Sequence, residues 1–322
     1  MDKTGFHSFL IQKGTPEGNI DSYVNIAVRF EDHITMTSSE SSNERIEDFT
    51  DELIESGENT RDNYLALARY AQFRQDYTAF RLIVELIDGC EVMQNLYNKV
   101  GISLGEDFRD GIFEGVVLPP VGTPNTRKPA VTQTVMGRLE RQTDPQTCRS
   151  LLIDCLRDLP DESYFQEREK YLACNSLDDY LDQRGTDFLS ELETIKEEGG
   201  LYYTQPVTGE VIEFIRDNPE ISHGVRRANT LFQTKIPYMT NEYLKEADDG
   251  LKRYHYCHCP WVRESLKAGG SQISSTFCNC SAGFIKKPWE VIFGQHLQVE
   301  MLESVLDGDP RCRFAIQLPD GV

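Results

Sequence analysis

No run of roughly 18 apolar residues occurs in this 322-residue chain, so no membrane-spanning helix is expected. The opening Met1-Asp2-Lys3-Thr4-Gly5 lacks the charged and apolar regions of a signal peptide, and a soluble, cytoplasmic protein is the expectation. Positive charge is scarce. Against 53 Asp and Glu stand 33 Lys and Arg, a net charge of −20. Such a surface repels phosphate backbones and disfavours nucleic acid as a partner. Gly-x-Gly-x-x-Gly, the phosphate-loop Gly-Lys-Ser/Thr and Gly-x-Ser-x-Gly are all missing, which removes support for nucleotide cofactors and serine-hydrolase chemistry. No repeat at solenoid periods is found.

What the chain does have is cysteine. Nine is an odd count, and clustered thiols in a reducing compartment read as metal ligands or reactive groups rather than disulfides. Two Cys-x-Cys units lie near the C-terminus. Cys257 and Cys259 sit in Tyr254-His255-Tyr256-Cys257-His258-Cys259-Pro260-Trp261, and Cys278 and Cys280 in Phe277-Cys278-Asn279-Cys280-Ser281. On extended strands, residues two apart share a face. His255, Cys257 and Cys259 would then point one way with His258 opposite, and Cys278 and Cys280 would share a face of a second segment. A turn at 265–270 would let the segments adjoin. Four converging thiolates suit a tetrahedral zinc ion or an iron–sulfur cluster, with His255 or His258 able to replace one. A reactive thiol without metal and inert packing as small hydrophobes are the competing readings. Between residues 251 and 290 stand Lys252, Arg253, Arg263, Lys267, Lys286 and Lys287 against Glu264 and Glu290, a local basic excess expected to lower thiol pKa values.

Arg263 and Lys287 are candidates to hold a ligand's acidic group. The only tryptophans, Trp261 and Trp289, are candidate walls of a pocket, with core anchoring as the commoner role. His296 with Glu303 is a further proton-transfer candidate, and His223-Gly224-Val225-Arg226-Arg227 a basic turn that could hold an anion. Cys90, Cys148, Cys155 and Cys174 read as buried small hydrophobes.

The fold expectation is α+β and mostly helical: a helical N-terminal domain, then an α+β domain ending in a β-hairpin. Apolar residues recur at helical spacing through the first 115 residues, broken by a polar loop at 37–44. The proline-rich stretch 117–129 divides domains 1–116 and 130–322 as a linker. Helical patterning returns from Asp144-Pro145 to about Lys196. Residues 201–203 and 230–236 then read as strands, with a short helix over 207–217 between them. Alternation through Val299, Met301 and Glu303, a turn at Asp307-Gly308-Asp309-Pro310 and alternation through Cys312, Phe314 and Ile316 predict the final hairpin.

Residues 202–319 resemble an uncharacterised prokaryotic family. The resemblance is carried by Thr234-Lys235-Ile236-Pro237-Tyr238, the two Cys-x-Cys units, and Gly308-Asp309-Pro310-Arg311-Cys312-Arg313-Phe314. The closing Cys-Arg-Phe is similar to that of 4-vinyl-reductase-type small-ligand domains and of L-2-amino-thiazoline-4-carboxylate hydrolases. This resemblance implies an α+β domain with a small-molecule pocket and assigns no catalytic residue. Phe9, Leu10, Gly14, Ile20, Tyr23 and Phe30 resemble the SAM-like core-binding domain of tyrosine recombinases, which implies DNA clamping. The recombinase Arg, His-x-x-Arg and Tyr constellation is not recognisable downstream. Residues 1–116 carry 22 Asp or Glu and 10 Lys or Arg. Three functions therefore stand open: a small-molecule-binding domain with a Cys-ligated metal or thiol site, a Cys-dependent hydrolase of a small cyclic or thio-compound, and a DNA-associated protein. Self-association into a homo-oligomer is also open.

Overall fold

The computed structural model describes residues 1–36, 41–268 and 272–322. Residues 37–40 of the expected polar loop and 269–270 of the expected turn lie outside the described residues. The fold is α+β and mostly helical. Among the described residues no helix is long and apolar enough to cross a membrane.

Two compact units are formed, one by residues 1–90 with 117–128 and the other by 91–116 with 129–322. The first unit contains α1 (Lys3–Gln12), α2 (Glu17–Met36), α3 (Ser42–Glu55), α4 (Arg61–Phe73) and α5 (Tyr77–Ile87). Side chains of Asp2, Ser41, Thr60 and Asp76 cap four of these helices by accepting from first-turn N–H groups. Its core is aromatic, with Phe6 5.2 Å from Tyr70 and 5.5 Å from Phe73 between ring centroids.

Most of the stretch expected as a linker, 117–128, falls within the first unit. Rather than forming a tether, this stretch packs on the first unit. Asn59 Nδ2 donates to Val121 O at 2.9 Å, and Arg127 grips Asp51 through two 2.8 Å bonds. Gly122 (φ +92°) lies so close to Tyr64 that a Cβ would overlap the phenol oxygen. Conversely α6 (Val92–Leu104) and α7 (Glu106–Phe113) belong to the second unit. Asn95 reaches Leu156 O (3.0 Å) and Asp158 (2.8 Å), and Arg138 donates to the carbonyls of Ile112 and Glu114. Proline forbids helix but says nothing of what the extended backbone packs against.

The second unit continues with α8 (Lys128–Gln142), α9 (Pro145–Ile153), α10 (Phe165–Ala173), α11 (Leu177–Glu197), α12 (Gly209–Arg216), α13 (Pro219–Ser222), α14 (Thr240–Lys245), α15 (Asp249–Tyr256) and α16 (Asn279–Phe293). A two-residue pair, β1 (Leu201–Tyr202) and β2 (Gln205–Pro206), follows α11. β3 (Val225–Arg227), β4 (Thr230–Thr234), β5 (Val299–Glu303) and β6 (Arg313–Gln317) form an antiparallel sheet in the order β3-β4-β6-β5. The expected hairpin is present as β5–β6, with Val299 opposite Ile316 and Met301 opposite Phe314. Its connection is longer than a tight turn. A 3₁₀ turn at Val305–Asp307 ends at Gly308 (φ +96°), and the Asp309 carboxylate accepts from Ser304 N at 2.8 Å. Leu231, Phe314 and Ile316 are fully buried on one face of the sheet.

Candidate thiol site

Neither Cys-x-Cys unit lies in a strand, which corrects the expected face-sharing. Asp248 caps α15 through Leu251 N, and the helix runs to Tyr256 before Cys257 turns extended (φ −72°, ψ 125°). Pro260 disfavours helix at the residue before it. Cys259 O then accepts from Val262 N and Arg263 N at 3.3 and 2.9 Å, reversing the chain. The second unit of thiols sits on helical backbone. Ser274 caps a 3₁₀ turn, Ser275–Cys278, that runs directly into α16. Residues two apart there are about 200° apart around the axis, so Cys278 and Cys280 face different ways.

The centre of the arrangement is Lys235-Ile236, just after β4. Lys235 N donates to Cys312 O at 3.2 Å, and Lys235 O accepts from Tyr256 Oη at 2.5 Å. Lys235 Nζ reaches Ser281 Oγ at 3.2 Å, and Ile236 O is 2.6 Å from His258 Nε2. These bonds draw the segments holding Cys257–Cys259, Cys280 and Cys312 to one place. The Ser304 hydroxyl favours the thiolate of Cys278, which lies in the same segment as Cys280.

Every pairing among Cys257, Cys259, Cys278 and Cys312 is close enough for ionisation of one thiol to oppose ionisation of the other. Cys280 couples to Cys259 and to Cys155. Burial is the dominant influence and pushes the thiols of Cys257, Cys278 and Cys312 up, and that of Cys280 to about 12. Nearby cations pull the other way and lose. Arg263, 3% exposed, acts on Cys257 while its guanidinium lies 4.6 Å from the Tyr238 ring. Lys235 acts on Cys280 and Cys312, and Arg157 on Cys280. Both sit over the Phe284 ring, at 5.0 and 5.7 Å. The local basic excess thus does not lower the thiol pKa values as expected, because water is excluded from the same place.

Other sequence expectations fare differently. Each of the four cysteines named in the two units is electrostatically coupled to at least one of the others, and the histidines are directed elsewhere. His255 Nε2 faces Glu246 at 3.7 Å from α15, and His258 Nε2 is engaged at Ile236 O. Lys287 pairs with Asp161 and acts on Cys155. Lys286, 1% exposed, pairs with Glu290 at 2.9 Å. Trp261 and Trp289 are core anchors. Trp261 O accepts from Thr132 at 2.9 Å, and Trp289 Nε1 donates to Gln233 at 2.8 Å beneath the Arg184 guanidinium. His296 joins Glu290 (2.8 Å) rather than Glu303, whose carboxylate grips Arg311 at 2.8 and 2.9 Å. His223 Nδ1 is 2.8 Å from Ser222 Oγ, and burial lowers the imidazole pKa. Of the four scattered cysteines only Cys148 is buried; Cys90, Cys155 and Cys174 are partly exposed.

Sequence reasoning missed Cys312, Cys155, Lys235 and Arg157. Cys312 reads as one more inward residue of a β-strand, though it falls within the Gly308–Phe314 stretch that carried the family resemblance. Among the described residues no group of three or more His, Cys, Asp or Glu side chains stands in a metal-ligating arrangement. No curated protein and no solved structure matches the chain. Residues 238–322, which hold five of its nine cysteines, are similar to a family of unknown function (DUF6144).

Proposed function

We propose that the second unit is a binding domain whose thiol cluster takes up a thiophilic metal ion. One observation carries this reading: cysteines from three separate chain segments, 257–259, 278–280 and 312, lie within electrostatic reach of one another. Simple packing accounts for single buried thiols, since free cysteine behaves as a small hydrophobe. It does not account for lysine beside them. Lys235 Nζ is held by Ser281 and the Phe284 ring, both neutral. A partly buried cation is favoured by nearby negative charge, and four thiolates around a divalent ion leave a net −2. Zinc and an iron–sulfur cluster are the centres that such a donor set suits. Closure by four protein ligands would make the centre structural or sensing rather than catalytic.

The raised thiol pKa values favour this reading over a hydrolase. A cysteine nucleophile needs thiolate near neutral pH, whereas burial keeps these groups protonated. Metal binding, by contrast, displaces the protons itself. The test is elemental analysis of protein purified without oxygen, followed by chelation and titration with Co²⁺. Stoichiometric zinc or iron, or thiolate-to-cobalt charge-transfer bands reversed by Zn²⁺, supports the proposal. Absence of both, with one cysteine alkylating far faster than the rest, would overturn it in favour of the hydrolase.

A further inference from the structure

We infer that a groove along α8 is a binding site for a hydrophilic small molecule carrying a phosphate or carboxylate group. The groove lies within the second unit and does not depend on the metal-binding reading above.

Its volume is about 540 Å³, within the usual range for small-molecule sites. The periodicity of α8 sets the floor. Val135, Met136 and Leu139 are fully buried, which turns Gln133, Gly137 and Arg141, at steps of four, to the other side of the helix. Residues 272–274 form the facing wall. Gln133 Nε2 donates to Gln272 Oε1 at 2.9 Å, and the Ser274 hydroxyl donates to the Glu140 carboxylate. These bonds hold the wall at points about 10 Å apart along the helix axis, and Gly137 sits between them.

Glycine inside a helix costs stability relative to alanine. Close packing does not require it at 137. Apart from its chain neighbours and the helix backbone, a Cβ there would meet among the described residues only the Arg141 guanidinium, at an ordinary contact distance of 3.5 Å. The same distance places that guanidinium back along the helix, over the groove floor. What the glycine provides is room beside a cation.

Charge then identifies the ligand. Arg138 and Arg141 both line the groove. Arg138 donates to two backbone carbonyls, Ile112 O at 2.9 Å and Glu114 O at 2.6 Å. Among the described residues neither guanidinium pairs with a carboxylate, although the chain has 53 Asp and Glu against 33 Lys and Arg. Two cations against Glu140 leave the lining positive in a chain of net charge −20. A planar guanidinium presents paired donors that match carboxylate and phosphate oxygens. Most of the remaining lining is amide and hydroxyl, which suits a hydrophilic body.

The test titrates the full-length chain with inorganic phosphate and, separately, with succinate at constant ionic strength, reading the side-chain amide signals of Gln133 and Gln272 by ¹⁵N NMR. Saturable shifts with at least one probe are expected in the millimolar range, as suits a fragment of a larger ligand. Response to phosphate alone identifies a phosphate-bearing ligand, response to succinate alone a carboxylate-bearing one, and response to both a site that selects by charge. Arg141→Gln should weaken binding at least about 10-fold through loss of a charge-assisted contact. Arg141 is exposed, so its replacement leaves the core intact. Gly137→Leu should abolish the shifts by filling the floor, whereas Gly137→Ala should retain them. No saturable shift with either probe, or equal affinity in the Arg141→Gln chain, would overturn the inference and leave the metal reading untouched.

Discussion

The two units place their charged groups differently. In the first, apart from Lys128, 1% exposed and bonded to Asn125 at 2.8 Å, charged groups pair at the surface: Arg29 holds Glu52 and Glu58 with side chains 40–48% exposed, around a core of apolar and aromatic residues. In the second, charge goes inside. Lys286 is buried with Glu290, Arg263 is buried against tyrosines, and the Glu220 carboxylate grips Arg313 at 2.7 and 2.8 Å with both side chains about one-sixth exposed. Burying ionised groups costs stability unless each meets a partner, and replacing them with apolar groups often stabilises a fold.

The largest effects should be shared by both units. Trp289→Ala in the second and Phe6→Ala in the first should each cost about 3–5 kcal/mol in denaturant titration, since both side chains are fully buried anchors. A much smaller loss at Trp289 would mean that its surroundings collapse to fill the space.

Ion pairs should separate the units. Glu290→Gln leaves the Lys286 ammonium buried with Asp154, 57% exposed and 3.6 Å away, as its remaining acidic neighbour. The expected loss is about 3 kcal/mol. Glu52→Gln should cost under about 1 kcal/mol, because that pair is solvated and Glu58 remains with Arg29. Equal losses at the two positions would erase the contrast.

High pH should sharpen it. The Cys280 thiol stays protonated in the fold to about 12, against an ordinary 9.0 once unfolded. Between those values the unfolded chain binds fewer protons than the folded one, so stability falls as pH rises. With metal removed by chelation, loss in the second unit should begin near pH 9. In the first unit Tyr64 and Tyr70, raised from 10.0 to about 12, bring the same sign of effect about one pH unit higher. Hydrogen exchange resolved by segment checks the order. With Zn²⁺ bound, a thiol that ligates it is already ionised in the fold, and only the ligating thiols' part of this loss should disappear.

The smallest contrast concerns two glycines. Gly283→Ala puts a Cβ against backbone atoms of 153–155, which cannot swing aside. It should cost about 1–3 kcal/mol in denaturant titration. Gly57→Ala meets no atom within 4 Å and is strained only by its φ of +71°, so about 1 kcal/mol is expected.

Much of the architecture was legible from local pattern. The β5–β6 hairpin followed from period-two alternation, and the helical first unit from apolar residues at helical spacing. The thiol segments were not. Tyr254-His255-Tyr256-Cys257 is rich in residues that suit strands, yet Asp248 caps a helix that carries through Tyr256. Ser274 likewise starts the turn that leads into α16, so Cys278 and Cys280 fell on helical backbone. The proline-rich stretch was correctly read as non-helical over most of its length, but its place on the first unit depends on Asp51, Asn59 and Tyr64, all more than fifty residues away.

From the sequence alone came the acidic surface, the helical character of the first ninety residues, the final hairpin and the presence of a dense set of thiols. Those properties depend on composition and on neighbours a few positions apart. Which sulfurs face one another, and whether water or a cation surrounds them, was decided by contacts between segments tens to more than a hundred residues apart. Lys235 meets Ser281, and Gly283 meets Ile153. Such pairings are set by the packing of whole helices against a sheet, and no local spacing encodes them.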